Sequence, residues 1–193
     1  MTEKVYKKLP PVPAETVCMD IDMSDEAKAL LKPNLPSCQY LELLITGQYF
    51  IDAVRFLARA LPKREATWWA CLAVRRFLQQ DPKAEIIKAL ETAEAWVYKP
   101  SEENRQHCQT AAAAAGYHHP ASWAAMGGFW SAGSLAPPEI PPVPPAENLT
   151  SKAVAGAVML STVLAEPEKA PEKYRLLLTL GIDIACGGDG RKV

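Results

Sequence analysis

The chain carries no surplus of either charge, no long apolar run, no paired cysteine motif and only 3 histidines in 193 residues. Lys and Arg number 21 against 22 Asp and Glu, a net charge of -1. Domains that bind nucleic acid by neutralising phosphates are usually clearly basic, so the balance argues against that class. The cluster Lys4, Lys7, Lys8 is too short for a polybasic anchor and reads as a solvated tail. The longest apolar run, residues 153–160, falls far below the ~20 residues of a membrane-crossing helix. No apolar stretch follows the N-terminal lysines, which argues against a secretory signal. Arg75-Arg76 lies mid-chain before Phe-Leu-Gln-Gln-Asp and is no export signal.

Cysteines stand at 18, 38, 71, 108 and 186, an odd set without a CxxC pair. Cys71 sits within an apolar stretch, where a reduced thiol behaves as a small hydrophobe. This is the usage of a reducing compartment, and the cytosol is the expected location.

Sustained period-2 alternation is also missing, so strand content should be near zero. Helical spacing takes its place. Residues 1–16, with Pro10, Pro11 and Pro13, read as an extended arm. Ser24 is placed to cap a helix over 24–31, and Ser37 to cap the next, which Gly47 ends. Phe50, Val54, Leu57, Ala58 and Leu61 share one helical face, and Pro62 breaks it. The segment Leu61-Pro-Lys-Arg-Glu-Ala-Thr-Trp68-Trp69-Ala-Cys71-Leu-Ala-Val-Arg75-Arg76 is apolar on two stripes and predicts the central helix of the fold. Asp81-Pro82 is a cap and first-turn pair for a helix to about residue 98. Ser101 caps a helix that Gly116 ends. His119-Pro120 starts a short helix reaching Gly127-Gly128, which allow a tight turn or close packing. Thr150 or Ser151 caps an Ala/Val-rich helix to about residue 164. A last helix runs over 171–185 and stops at Gly187-Gly188-Asp189-Gly190.

Residues 131–148 carry no secondary-structure signal. Within them, residues 137–145 hold six prolines in nine positions, a stiff polyproline stretch. One reading is a PxxP ligand for a partner domain, although the flanking arginine typical of such ligands is missing. The simpler reading is a rigid crossover strapped across the helices, with Trp130 and Leu135 as anchors.

Catalytic signatures are scarce. His107-Cys108 and His118-His119 form the one metal-like grouping, but adjacent helical residues point ~100° apart and chelate poorly. Gly133-Ser134 lacks a GxSxG frame. Cys71 as a nucleophile would need an exposed, electropositive setting, and its neighbours Trp68 and Leu72 point to burial instead. Asp20, Asp22, Asp25 and Glu26 lack the pattern of a calcium loop, and no glycine-rich phosphate loop precedes a helix. Trp and Arg dominate protein interfaces. Most of Trp68, Trp69, Trp96, Trp123 and Trp130 should fill the core, with one or two lining a groove. Arg75 and Arg76 either pair with carboxylates of the fold or face a partner.

Four stretches carry a resemblance. They are Ala60-Leu61 through Trp68-Trp69-Ala-Cys71-Leu-Ala, then Trp123 through Phe129-Trp130-Ser-Ala-Gly-Ser-Leu-Ala-Pro137-Pro138, then Thr150-Ser-Lys-Ala-Val-Ala-Gly-Ala-Val158, and finally Leu180-Gly181-Ile-Asp-Ile-Ala185. Over most of residues 38–187 the chain resembles a bacterial helical domain-of-unknown-function family associated with type VI secretion gene clusters. The tryptophan and Trp-Ser-x-Gly-Ser motifs label the family and name no reaction. The resemblance implies a bacterial cytoplasmic adaptor, chaperone or regulator and supplies no catalytic residues.

The expectation is an all-α, compact multi-helix bundle. Residues 1–20 form an extended arm, 21–187 one helical domain with a proline-rich crossover at 131–149, and 188–193 a tail. The expected function is non-enzymatic binding of a protein partner, such as a type VI secretion component or effector, through Trp68, Arg75, Arg76, Trp123 and Trp130. No cofactor, nucleic acid or membrane is expected to bind. Two alternatives stay open: a small metal- or ligand-binding enzyme using His107, Cys108, His118 and His119, and a homo-oligomer in which the alanine-rich helix 151–164 packs against its copy.

Overall fold

The computed structural model describes residues 5–137 and 139–191, so Lys4 of the basic cluster, Pro138 of the proline run and the tail residues 192–193 lie outside it. The described residues form an all-α fold of α1 (Ala14–Cys18), α2 (Asp25–Ala29), α3 (Ser37–Thr46), α4 (Phe50–Ala60), α5 (Lys63–Arg76), α6 (Ala84–Tyr98), α7 (Glu102–Ala115), α8 (Pro120–Phe129), α9 (Leu149–Val163) and α10 (Ala170–Cys186). No strand occurs among these residues; one isolated bridge joins Pro13 to Pro36.

Local chemistry explains several boundaries. Ser24 Oγ accepts from the Ala27 amide at 3.1 Å, Ser101 Oγ from Asn104 at 3.2 Å and His119 Nδ1 from Ala121 at 3.1 Å. Each satisfies an amide that the first turn leaves orphaned. Gly116 and Gly187 end α7 and α10 with φ of 73° and 101°, a region that side chains resist.

Other expected caps do different work. Ser37 is the first residue of α3, and its hydroxyl donates to the Val12 carbonyl at 2.9 Å. Asp81 takes a turn conformation with φ of 55°, so α6 begins at Ala84 rather than at the Asp-Pro pair. The helix expected to start at Thr150 or Ser151 starts at Leu149, and Thr150 Oγ1 donates across to the Gly127 carbonyl at 3.3 Å.

The centre is shared by two helices. α5 packs against α4, α6, α8, α9 and α10, as its apolar stripes require. Yet α8 is the more completely enclosed, with 9 of its 10 residues buried. Its composition explains this. Gly127 and Gly128 lie in the last turn of the helix, and of the two expected roles they serve close packing. A Cβ on Gly127 would stand 3.2 Å from Thr67 and 3.3 Å from Val154; one on Gly128 would stand 3.1 Å from Cys108 Sγ. Absent side chains let α8 sit this close to its neighbours. Trp69 is fully buried, and its indole donates to the Leu177 carbonyl at 2.7 Å, so the large apolar ring enters the core without an orphaned N–H.

The N-terminal segment differs from the extended reading. Ala14 and Val17 are buried, and α1 packs on α3 and α4. The Ala14 amide donates to Leu35, and the Lys8 amide to Ala185, each at 2.8 Å. Burial of these apolar side chains outweighs the proline spacing. The alanine face of α9 is likewise used inside the chain, with Ala153, Ala155 and Ala157 buried and the helix packed on α4, α5 and α8.

Among the described residues of the crossover, 131–137 and 139–148, none is helical, and the segment connects α8 to α9. Lys63 ties both ends of this crossover: its Nζ donates to the Ser131 carbonyl at 3.0 Å and pairs with Glu147 at 3.2 Å. The middle folds back, with the Leu135 amide on the Val143 carbonyl at 2.8 Å and the Val143 amide on Ser134 Oγ at 3.0 Å. Leu135 is 36% exposed and is not the expected buried anchor. Arg105 takes that part. Its buried guanidinium donates to the carbonyls of Phe129 at 2.8 Å and Ser134 at 3.1 Å.

Candidate functional site

Adjacent helical residues point ~100° apart, so Trp68 and Trp69 meet different surroundings. Trp69 enters the core; Trp68 stands half-exposed on the second stripe of α5. Arg64, Trp68, Leu72 and Arg75 follow helical spacing and form one wall of an open cleft of about 890 Å³. The C-terminal turn of α6 supplies Glu94, Val97 and Tyr98 to the opposite wall. Ile184 of α10, residues 187–189 and 191 of the tail, and Lys8 complete the lining.

The tail is fastened to this wall. Trp68 Nε1 donates to the Asp189 carbonyl at 2.8 Å, and the Arg191 guanidinium lies 4.9 Å above the indole. The Gly190 amide donates to Asp183 Oδ2 at 2.8 Å. A Cβ on Gly190 would meet Leu72 at 2.7 Å, so the tail lies flat only because glycine stands there. Arg75 donates through Nε and Nη2 to the two carboxylate oxygens of Glu94, both at 2.6 Å, and this hydrogen bonding raises its pKa. Arg64 donates to the Val97 and Tyr98 carbonyls at 2.5 and 3.4 Å, satisfying acceptors that the end of α6 leaves open. Tyr98 is 86% exposed at the rim.

The five expected partner-binding residues do not converge. Trp68 and Arg75 share the cleft. Arg76 is exposed and makes no ion pair among the described residues. Trp123 and Trp130 lie elsewhere, on α8 and just beyond it. Their rings stand 6.3 Å apart, and Trp123 also meets Tyr117 at 6.2 Å. The Trp123 indole donates to the Tyr117 carbonyl at 3.0 Å, and the ring covers Gly156 of α9. Trp123 thus covers part of the α8–α9 contact, with Trp130 beside it.

The histidine and cysteine grouping does not assemble. His107 and His118 are exposed, while Cys108 is fully buried with its thiol on the Thr92 carbonyl at 3.4 Å. Burial pushes that thiol up to about 12. His119 Nδ1 is committed to the α8 cap, and burial lowers its pKa. No group of three or more potential ligands able to hold a metal forms among the described residues. Cys71 is fully buried, with its thiol pKa raised by desolvation. The Ser134 hydroxyl is engaged with Ala136 and Val143.

Arg64 and Tyr98 complete the cleft and were missed from the sequence. Arg64 precedes Trp68 by one helical turn, a spacing that could have revealed it. Lys8 and Arg191 come from opposite ends of the chain, and no local signal places them together.

No curated protein and no solved structure matches the chain. A family model does match, over residues 40–185, which include α5, α6, α8 and α9 entire. The chain belongs to the family of unknown function DUF6931.

Proposed function

We propose that this protein is a non-enzymatic binding accessory of a bacterial type VI secretion system, acting in the cytoplasm as an adaptor, chaperone or regulator. The observation that carries the binding part is the open cleft along α5. Its walls present an indole, a phenol and aliphatic side chains beside fixed guanidinium groups. Such a mixture of aromatic and arginine side chains is what concentrates binding energy at protein interfaces. The type VI part rests on the resemblance of the tryptophan and Trp-Ser-x-Gly-Ser motifs.

Affinity capture from a lysate of the cells that express the protein, followed by mass spectrometry, tests this reading with wild type and Trp68→Ala as paired baits. Enrichment of one secretion component or effector by wild type, and its loss from the variant, is the expected result. Equal recovery by both baits contradicts the cleft as the site, and recovery of the bait alone contradicts the adaptor function.

A further inference from the structure

The charges of the cleft narrow the chemistry of its occupant, and this step rests on the cleft being a docking site. Its lining holds Lys8, Arg64, Arg75 and Arg191 against Glu65, Glu94 and Asp189. Lys8 is paired with Glu65 at 2.8 Å and Arg75 with Glu94 at 2.6 Å. Arg64 bonds only to backbone carbonyls and makes no ion pair among the described residues. Arg191 stacks on Trp68 with its side-chain N–H groups unbonded among those residues, while the Asp189 carboxylate accepts the Arg191 amide at 3.0 Å. Two guanidinium groups without carboxylates thus face one remaining carboxylate. The cleft carries a positive surplus on a chain whose net charge is -1.

A guanidinium placed over an indole face leaves N–H groups free, and its planar fork matches a carboxylate with two parallel hydrogen bonds. Trp68, Leu72, Val97 and Tyr98 offer apolar surface within the same cleft. The cleft is open along its length, unlike the enclosed cavities that bury most of a small ligand. We infer that the cleft takes a peptide segment of a partner protein in which an acidic side chain adjoins aromatic or aliphatic ones, with Arg191 and Arg64 receiving the carboxylate. Trp68 and Leu72 hold its apolar neighbour.

Panning random dodecapeptides against the full chain, with Trp68→Ala protein as the counter-bait, tests this. The winning peptide is then compared with its twin carrying Gln or Asn for each acid, by fluorescence anisotropy on wild type and Arg191→Gln. The Arg191 side chain makes no hydrogen bond or ion pair among the described residues and lies over the exposed side of the indole, so Arg191→Gln is expected to keep the fold, which circular dichroism verifies. The expected result is enrichment of acidic and apolar sequences that depend on Trp68. Affinity should fall about ten-fold for the neutral twin, and again for Arg191→Gln, as for loss of one charged hydrogen-bonded pair. Trp68-dependent peptides without acids, or binding indifferent to Arg191→Gln, overturn the acidic assignment and leave the docking site standing. Absence of any Trp68-dependent peptide overturns both.

Discussion

The indole N–H of Trp68 donates to the backbone carbonyl of Asp189 at 2.8 Å, joining the middle of α5 to a residue 121 positions later. One aromatic side chain therefore forms cleft surface and fastens the tail that makes the neighbouring wall. Replacing Trp68 with Ala removes that donor and the platform for Arg191. The expected outcome is unchanged helicity, a stability loss of about 1 kcal/mol and faster hydrogen exchange at the amides of residues 187–191.

The glycines of α9 and α10 give predictions of opposite sign. A Cβ on Gly181 would stand 2.7 Å from Leu57 and 2.8 Å from Trp69, both fully buried and unable to retreat. Gly181→Ala should destabilise by about 1–3 kcal/mol despite better helix propensity. A Cβ on Gly156 meets nothing closer than Trp123 at 3.8 Å. Gly156→Ala should stabilise by about 0.5–1 kcal/mol. Urea unfolding of both variants reads the signs.

Arg105 fixes the crossover. Arg105→Met leaves the Phe129 and Ser134 carbonyls without their Arg105 donor and Glu102 without its ion-pair partner. A loss of about 2–3 kcal/mol is expected, with earlier proteolytic cleavage within residues 131–148 than in wild type. Unchanged cleavage there would refute the anchoring role.

The same pair sets a pH dependence. Hydrogen bonds from Arg105, and secondarily from Gln106, hold the Glu102 carboxyl at about 2 instead of its ordinary 4.5. A carboxyl lowered by folding stabilises fully above its unfolded value, and the contribution is lost as pH falls through the folded one. Unfolding midpoints should therefore drop between about pH 4.5 and 2. Glu102→Gln should show a shallower fall across that window than wild type.

Helical spacing made most of the fold legible. Phe50, Val54 and Leu57 lie buried on α4 as their periodicity requires, and Ser24, Ser101 and His119 cap where expected. Misplaced starts came from side chains with better tertiary partners, as with Ser37 on Val12 and Thr150 on Gly127. The enclosure of α8 is not legible in the sequence because its alanines and glycines carry little hydrophobic signal, although their small size is what permits close approach. Of the site, Trp68 and Arg75 were legible from residue type. The convergence of Lys8 and Arg191 depends on two residues 183 positions apart meeting at α5, which no local pattern encodes.

The most direct test of partner docking is photo-crosslinking in living cells, with p-benzoylphenylalanine placed at Tyr98 on the cleft rim and, separately, at Leu43, an exposed residue of α3 outside the cleft. The account predicts a crosslink from Tyr98 to one type VI secretion component or effector and none from Leu43. Equal yields from the two positions, or no adduct at Tyr98, would contradict it.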